Sequence, residues 1–249
     1  MLSVKSCQPS KSYEGIPMEK IIYALWKKDT QTGDEFREEL RTQLCPGLRR
    51  DNIHTMRLCV SDSGVAPASA YRIENAKPVA DAILSVWVDT AIARTEIEKS
   101  LQQYTEKYAG YLVTESEPLP NRTHPPAKNE RTFGMNQVVF LQKPERLSFD
   151  EWITTWHGSH TDVAIDTQST FGYRQNVVAR ALTPDAPACD AIVEENFPEA
   201  AIHSRAAFYD AEGNPELQQE REKLMMESCM RFIDFDKIDC VPMSEYVIS

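Results

Sequence analysis

The chain contains a segment that recurs almost half a chain later. Thr32–Leu40 (TGDEFREEL) and Ser148–Trp156 (SFDEWITTW) align without a gap at an offset of 116 residues. Each begins with a capping box, in which a Thr or Ser oxygen accepts from an amide and a Glu three residues later bonds back, so each predicts a helix start. Upstream, Lys20–Lys27 and Asn136–Lys143 keep the same offset and have the length and composition of strands. The repeat predicts two copies of one structural unit.

The two copies differ in the length of their loops. Gly47–Arg49 resembles Gly172–Arg174 at an offset of 125, and Asp81–Leu84 resembles Asp190–Val193 at an offset of 109. The later copy has therefore gained nine residues between its first helix and its second strand. That stretch adds polar groups that the first copy lacks, namely His157, His160, Asp162 and Asp166.

Hydrophobic periodicity predicts the order strand, helix, strand, strand, helix, strand in each copy. In the first copy we expect helices near 33 to 44 and 91 to 107 and strands near 19 to 27, 52 to 60, 80 to 88 and 110 to 115. In the second we expect helices near 149 to 164 and 215 to 233 and strands near 135 to 142, 172 to 181, 190 to 197 and 240 to 247. This βαββαβ order predicts an α+β fold made of two tandem ferredoxin-like repeats.

The central strand Ala82–Val88 is apolar on both faces, so the sheet needs a cover on the side away from its helices. The sister repeat can supply that cover, which predicts a barrel with a lined interior formed within one chain. The expected organisation is a loose arm at 1–17, the first repeat at 18–116, a proline-rich linker at 117–132 and the second repeat at 133–249.

Composition limits the classes of partner. The chain carries 38 acidic and 27 basic residues, a net charge of −11, which argues against nucleic acid as a partner. There is no apolar run of membrane-spanning length and no apolar signal segment at the start, so we expect no membrane partner and a cytoplasmic location. The six cysteines show no CxxC pair and are expected to be free thiols.

The residues Leu147–Trp156, His160 and Gly172–Arg174 resemble the EthD-domain family of the dimeric α+β barrel superfamily. The resemblance covers the second half well, whereas the first half has Leu44 in place of His160. It implies a barrel fold. It also implies kinship with cofactor-free lyases, dehydratases, decarboxylases, isomerases and monooxygenases of small aromatic or polyketide-like molecules, and with members of no assigned activity.

His160 is the first candidate catalytic residue. It follows Trp156 by four positions on one helical face, near the predicted end of the helix, where the helix dipole and burial have opposing effects on its pKa. A pKa near neutrality would suit a general acid or base, while the alternative is a histidine that caps its helix. His157, His160 and Asp162 could suggest a metal site, but no additional Glu or Cys stands at a convincing spacing, so we predict no metal.

Glu194 is the second candidate catalytic residue. The alignment places it at the position of Ser85, on the strand face that we expect to line the barrel interior. A carboxylate in an apolar interior has its pKa raised by desolvation and can act as a base. The alternative is that the strand ends after Val193, which would leave both Glu194 and Glu195 in solvent.

The remaining candidates would bind substrate. Arg174 could hold a phenolate or carboxylate and Tyr173 could donate to an enolate oxygen, although Arg49 at the matching place also favours a structural ion pair for Arg174. The aromatic residues Trp156, Tyr23 and Trp87 are expected to line the pocket or to belong to the core.

Short motifs for nucleotides, nucleophilic hydrolysis and zinc hydrolysis are absent from the sequence, so we expect no cofactor. The leading hypothesis is a cofactor-independent lyase or isomerase that moves a proton on a small apolar or aromatic substrate. A noncatalytic protein that binds a hydrophobic metabolite and a cofactor-free quinol monooxygenase are the alternatives. Assembly into a homodimer is left open.

Overall fold

The computed structural model describes residues 19–48 and 52–248. Eight strands run over Glu19–Trp26 (β1), Ile53–Val60 (β2), Ala82–Val88 (β3), Lys107–Leu119 (β4), Met135–Leu141 (β5), Gly172–Ala181 (β6), Ala191–Phe197 (β7) and Ile238–Ile248 (β8). The α-helices are Gly33–Glu39 (α1), Cys45–Gly47 (α2), Thr95–Tyr104 (α3), Phe149–Thr155 (α4), Thr161–Thr167 (α5), Glu199–His203 (α6), Arg205–Phe208 (α7) and Pro215–Met230 (α8). Short 3-10 helices cover Ser63–Tyr71, Ala91–Arg94 and Phe235–Lys237.

The strands form a closed antiparallel barrel in the order β1-β3-β2-β8-β5-β7-β6-β4. Within this ring, each repeat keeps the ferredoxin-like order in which its fourth strand neighbours its first, followed by its third and second. Two seams join the repeats, because β2 pairs with β8 and β4 pairs with β6. The predicted fold class, an α+β barrel of two tandem repeats in one chain, is confirmed.

Both repeats start their first helix as the sequence predicts and then interrupt it at the same place. Thr32 and Ser148 form complete capping boxes with Glu35 and Glu151. After seven α-helical residues, each helix passes through a π-helical segment, Leu40–Leu44 in the first repeat and Trp156–His160 in the second. The continuous helices expected at 33 to 44 and 149 to 164 are therefore each divided by a wider turn.

The two faces of the sheet have different surroundings. In the first repeat, alternate strand residues such as Leu84 and Val86 pack against Phe36, Leu40 and Leu101 of the helices. The other face, which includes Ile22, Ile83, Val138, Ile192 and Val241, fills the barrel interior. On β3 the helix side therefore carries Ala82, Leu84, Val86 and Val88, and the interior face carries Ile83 and Ser85, as expected for Ser85.

The barrel interior is mostly filled with side chains in place of the lined hollow that we expected, and a small cavity of about 40 Å³ lies beside Trp26 and Tyr111. Apolar side chains occupy one part of the interior. Six charged side chains, called here the interior ion cluster, occupy the part near the start of β1; they are Lys20, Arg57, Glu115, Arg174, Glu194 and Glu245.

Three further differences concern the connections. The arm predicted at 1–17 lies outside the described residues. Strand β4 continues to Leu119, three residues into the predicted linker. Helices α6 and α7 and the 3-10 helix Ser63–Tyr71 are not predicted, because they are short and are held mainly by packing on Phe197 and Met135. None of the helices among the described residues combines the length and apolar composition needed to cross a membrane.

Candidate functional site

A cavity of about 230 Å³ lies between the sheet of the second repeat and the helices that cover it. We call it the helix-side cavity. Its floor is made by the helix-facing residues of the sheet, including Gln137, Tyr173 and Glu195, and α8 contributes Met225, Met226 and Cys229 to its wall. Met226 and Phe235 line it and are also partly exposed, so its mouth opens beside α8.

Glu195 is the acidic residue on the floor of this cavity. Only 6% of this residue is exposed to solvent. Burial raises the pKa of its carboxyl group to about 7. No described residue donates a hydrogen bond to its Oε1 atom. A carboxyl group in this setting exchanges its proton near neutral pH, as a general base requires.

Gln137 lies directly beside Glu195, because the two residues are register partners on β5 and β7. Its Oε1 atom is also buried and accepts no hydrogen bond from a described residue. The same is true of Oε1 of Gln168, which follows α5 and also lines the cavity. Buried polar atoms are normally paired, so three such oxygens around one cavity indicate a place where bound water or a ligand supplies the partners.

His160 lies in the wall of the helix-side cavity, at the end of the π-helical segment. Its Nδ1 atom is 3.0 Å from Oγ of Ser228 on α8, and its ring packs on Phe232 at 4.5 Å between centroids. Burial, and then the charge of Arg231, lower its pKa to about 4. The expected pKa near neutrality is wrong, because burial outweighs the helix end, and the imidazole is neutral at neutral pH.

Trp156 and Tyr173 meet in the same cavity. The indole Nε1 of Trp156 donates to the hydroxyl of Tyr173 at 2.9 Å. Because that oxygen accepts from the indole, its own proton is available to another acceptor. Burial raises the pKa of Tyr173 well above its usual value, so the hydroxyl keeps this proton at neutral pH.

Glu194 faces the barrel interior, as expected, but its environment there is the reverse of apolar. Its oxygens lie 3.3 Å from Lys20 Nζ and 3.3 Å from the Arg174 guanidinium. Burial alone would raise its pKa, but the attraction of these two cations and of Arg57 outweighs burial and lowers it strongly. The predicted raised pKa is wrong, and Glu194 is a fully ionised member of the interior ion cluster.

Arg174 and Trp87 also belong to the interior rather than to the helix-side cavity. The Arg174 guanidinium binds Glu194, Glu245 and the Asn196 carboxamide. Trp87 stacks against the cluster, with Lys20 Nζ 4.6 Å from its ring centroid. Arg174 is thus engaged in the ion pairs that were the alternative to a substrate grip, while Arg49 lies outside the described residues.

Tyr23 lies in the helix-side core of the first repeat, away from both groups. Its ring meets Tyr108 edge-on at 6.2 Å between centroids. The candidates therefore do not surround one space, and Tyr23 belongs to the core, which was the alternative to a place in the pocket. The structure brings together His160, Trp156 and Tyr173, and it separates them from Glu194, Arg174, Trp87 and Tyr23.

One group of three potential metal ligands comes together among the residues that the structure describes. Atoms of Cys59, Glu194 and Glu245 lie within 4.8 Å of one another in the interior. The Arg174 guanidinium already binds both carboxylates. Both carboxylates of this group are thus already paired with a cation.

Glu195 is the residue that the sequence reasoning missed, although the repeat contained the signal. The offset of 109 that aligns Glu194 with Ser85 also aligns Glu195 with Val86, which lies on the helix-facing side of β3. The offset of 116 likewise aligns Gln137 with Ile21, and Ile21 pairs with Val86 in the first repeat. A polar pair thus replaces an apolar pair at a helix-facing position.

Comparisons with known proteins find similarity in structure only. No family model matches the chain, and no curated protein matches it in sequence. An anthrone oxidase-like protein of known structure superposes with a TM-score of 0.55 at 9% identity, covering 95% of this chain and 93% of its own. A candidate monooxygenase from Lactobacillus acidophilus NCFM superposes with a TM-score of 0.48 at 7% identity, covering 93% of this chain and 95% of its own. The chain has the dimeric α+β barrel fold, with both halves of the barrel in one polypeptide.

Proposed function

We propose that this chain is an enzyme that removes a proton from a small, uncharged aromatic molecule bound in the helix-side cavity. The main support for this proposal is that Glu195 places a buried carboxyl group with a pKa of about 7 on the floor of an apolar cavity. Desolvation makes the carboxylate a stronger base than it is in water, and apolar walls bind the substrate next to it. The general base is therefore Glu195, and not Glu194 as the sequence suggested.

Two other polar side chains have roles in the same reaction. The hydroxyl of Tyr173 donates to the oxygen that becomes negative when the substrate loses its proton. His160 contacts Ser228 through Nδ1, which leaves Nε2 as the ring nitrogen able to meet the substrate. As a neutral imidazole it donates or accepts one hydrogen bond and orients the ring. All three side chains come from the second repeat.

The cavity limits the size of the substrate. A dry cavity of about 150 Å³ holds benzene. The helix-side cavity, at about 230 Å³, therefore suits a molecule of one or two fused rings. The reaction completed after proton removal is isomerisation or elimination, as the similarity of Leu147–Trp156 and His160 to EthD-domain proteins suggests.

A cofactor-free monooxygenase is the second candidate, because a carbanion held in a dry cavity can also react with O₂. The similarity in fold to a protein described as anthrone oxidase-like makes this test worthwhile. Both candidates begin with the same proton transfer to Glu195. They differ in whether oxygen is consumed.

Deuterium exchange tests the shared step. The probe is 2-tetralone, a bicyclic ketone whose C1 hydrogens are acidic, incubated with enzyme in D₂O above neutral pD and followed by proton NMR. We expect the chain to accelerate exchange at C1 and Glu195→Gln to lower the enzymatic rate at least about 100-fold. Glu220→Gln, an exposed change on α8, is the matched control and should leave the rate unchanged.

The outcomes separate the candidate functions. Exchange that survives Glu195→Gln would remove Glu195 from the mechanism. Saturable binding of 2-tetralone without any exchange would favour the noncatalytic binding protein. Oxygen uptake, measured with an electrode during exchange, would assign the monooxygenase reaction, and its absence would leave the lyase or isomerase.

A further inference from the structure

We propose that Glu195 and Gln137 form a paired recognition site for two hydroxyl groups on one edge of a neutral aromatic ligand. Gln137 is the specificity-determining residue of the pair. The proposal deepens the proposed function, since it places the ligand in the same cavity, but it concerns binding and does not require turnover.

Gln137 and Glu195 lie side by side on the floor of the helix-side cavity. Gln137 and Glu195 are directly opposite on β5 and β7, so their Cβ atoms are about 4.5–5.5 Å apart on the same face of the sheet. Both Oε1 atoms are buried, and neither accepts a hydrogen bond from the other side chain or from any other described residue. Two acceptor oxygens side by side need donors, and a ligand with two hydroxyl groups on one edge supplies both.

The charge of the helix-side cavity disfavours anionic ligands. Burial is the cause of the raised pKa of Glu195, and no described cation offsets it. Arg205 lines the cavity, but its guanidinium pairs with Glu222 at 2.6 Å. A carboxylate or phosphate ligand would therefore place its charge beside Glu195 without compensation. The cavity favours uncharged hydroxyl groups and disfavours anions.

The first repeat has apolar residues at the matching position of its sheet. There the same register position holds Ile21 and Val86, which pair across β1 and β3 within the apolar core. The fold thus accommodates an apolar pair at this position. Two buried oxygens without hydrogen-bond donors at this position are unfavourable for folding. Folding alone does not require a polar pair at this position, whereas binding of a ligand that donates two hydrogen bonds does.

Calorimetric titration of the full chain tests the proposal with three probes of similar size. These are 1,3-dihydroxynaphthalene, its dimethyl ether and 1-naphthoate. We expect the dihydroxy compound to bind at least about tenfold more tightly than either of the others, because only it donates two hydrogen bonds and carries no charge. Equal binding of the ether or tighter binding of the naphthoate would overturn the proposal.

Variants then assign the selectivity to the pair. Gln137→Ile, which restores the first repeat's residue, should weaken the dihydroxy compound at least about tenfold and the dimethyl ether by less than about twofold. Gln103→Ile, at an exposed site on α3, is the matched control and should change neither. Thermal unfolding of each variant establishes that it is folded. Loss of both ligands in a folded Gln137→Ile chain would show a general packing role and contradict the assignment.

The proposal and the proposed function can fail separately. Selective binding of the dihydroxy compound without deuterium exchange would uphold the recognition pair and reject the enzyme. A deuterium exchange rate that depends on Glu195, together with affinities that do not depend on Gln137 or on ligand hydroxyl groups, would uphold the enzyme and reject the recognition pair.

Discussion

Glu194 and Glu195 are adjacent in the chain and have opposite chemistry, because successive residues of a strand face opposite sides of the sheet. Glu194 points into the barrel, where Lys20, Arg174 and Arg57 more than offset the cost of burial and lower its pKa. Glu195 points under the helices, where burial raises its pKa to about 7. A shift of one residue in the reading of β7 therefore exchanges a structural ion for a candidate base.

Glu195→Gln should stabilise the chain at neutral and higher pH. The raised pKa means that folding favours the protonated carboxyl group. This contribution is fully present below the unfolded value of 4.5 and is lost as the pH rises through about 7. The loss is at most about 3 kcal/mol, from 1.36 kcal/mol for each pKa unit. Urea unfolding should show the variant gaining on the wild type between these two pH values.

The control for this measurement is Glu220→Gln, whose carboxyl group is exposed. It should follow the pH profile of the wild type. Identical pH profiles for Glu195→Gln and the wild type would mean that the Glu195 carboxyl group is solvated in the folded state, which would also weaken the proposed reaction.

At this scale, the sequence was informative wherever the two repeats could be compared. The alignment of the repeats correctly placed Ser85 and Glu194 on the interior face, and the same alignment matched Glu195 with Val86. What the sequence could not supply was the partner of each charge. Lys20 and Arg57 lie far from Glu194 along the chain, and only closure of the barrel brings them to it.

The π-helical segments are the features that set the site at the level of the elements. Each is a wider turn that follows seven α-helical residues, and in the second repeat it ends at His160. Such turns are frequent at functional sites. The capping boxes predicted where these helices begin, but local sequence does not distinguish a wide turn from a regular one. The first repeat keeps the turn with Leu40 and Leu44 in the positions of Trp156 and His160, so the turn belongs to the fold.

Deletion of Gly158 should remove the wide turn and with it the site. Gly158 is exposed, and a Cβ atom there would have no neighbour within 4 Å. Loss of the extra residue restores regular α-helical spacing, so His160 follows Trp156 by three positions instead of four and its ring shifts along and around the helix axis. We expect the deletion variant to fold but to lose the contact with Ser228 and at least about tenfold in ligand affinity.

Gly158→Ala is the matched control for the deletion. It keeps the turn and should raise the free energy of unfolding by about 0.5–1 kcal/mol, because alanine favours helical backbone and has free space at this position. Its affinity for ligands should equal that of the wild type. Unchanged ligand affinity in the deletion variant would show that the wide turn does not position the cavity wall.

For the molecule as a whole, the interior ion cluster joins the two repeats. Lys20, Arg57 and Glu115 come from the first repeat, and Arg174, Glu194 and Glu245 come from the second. The duplication and the strand pattern predicted the barrel, since both depend on local periodicity. The packed interior was not predicted, because it depends on which charges meet across the seams.

Lys20→Met should destabilise the chain strongly. The Lys20 ammonium group is almost fully buried and donates to Asn176 at 2.8 Å and to Glu194 at 3.3 Å, across the two repeats. Its removal leaves the interior cluster one positive charge short, and breaking a buried ion pair costs about 3–5 kcal/mol. In the double variant Lys20→Met with Glu194→Gln the charge is balanced again, so part of the lost stability should be recovered, with a coupling of about 0.5–3 kcal/mol.

Lys99→Met, which breaks an exposed pair with Glu96, is the control and should cost at most about 1 kcal/mol. Urea unfolding of the four chains and of Glu194→Gln alone measures all these values, and purely additive costs for Lys20 and Glu194 would show that the cluster does not bind the two halves together.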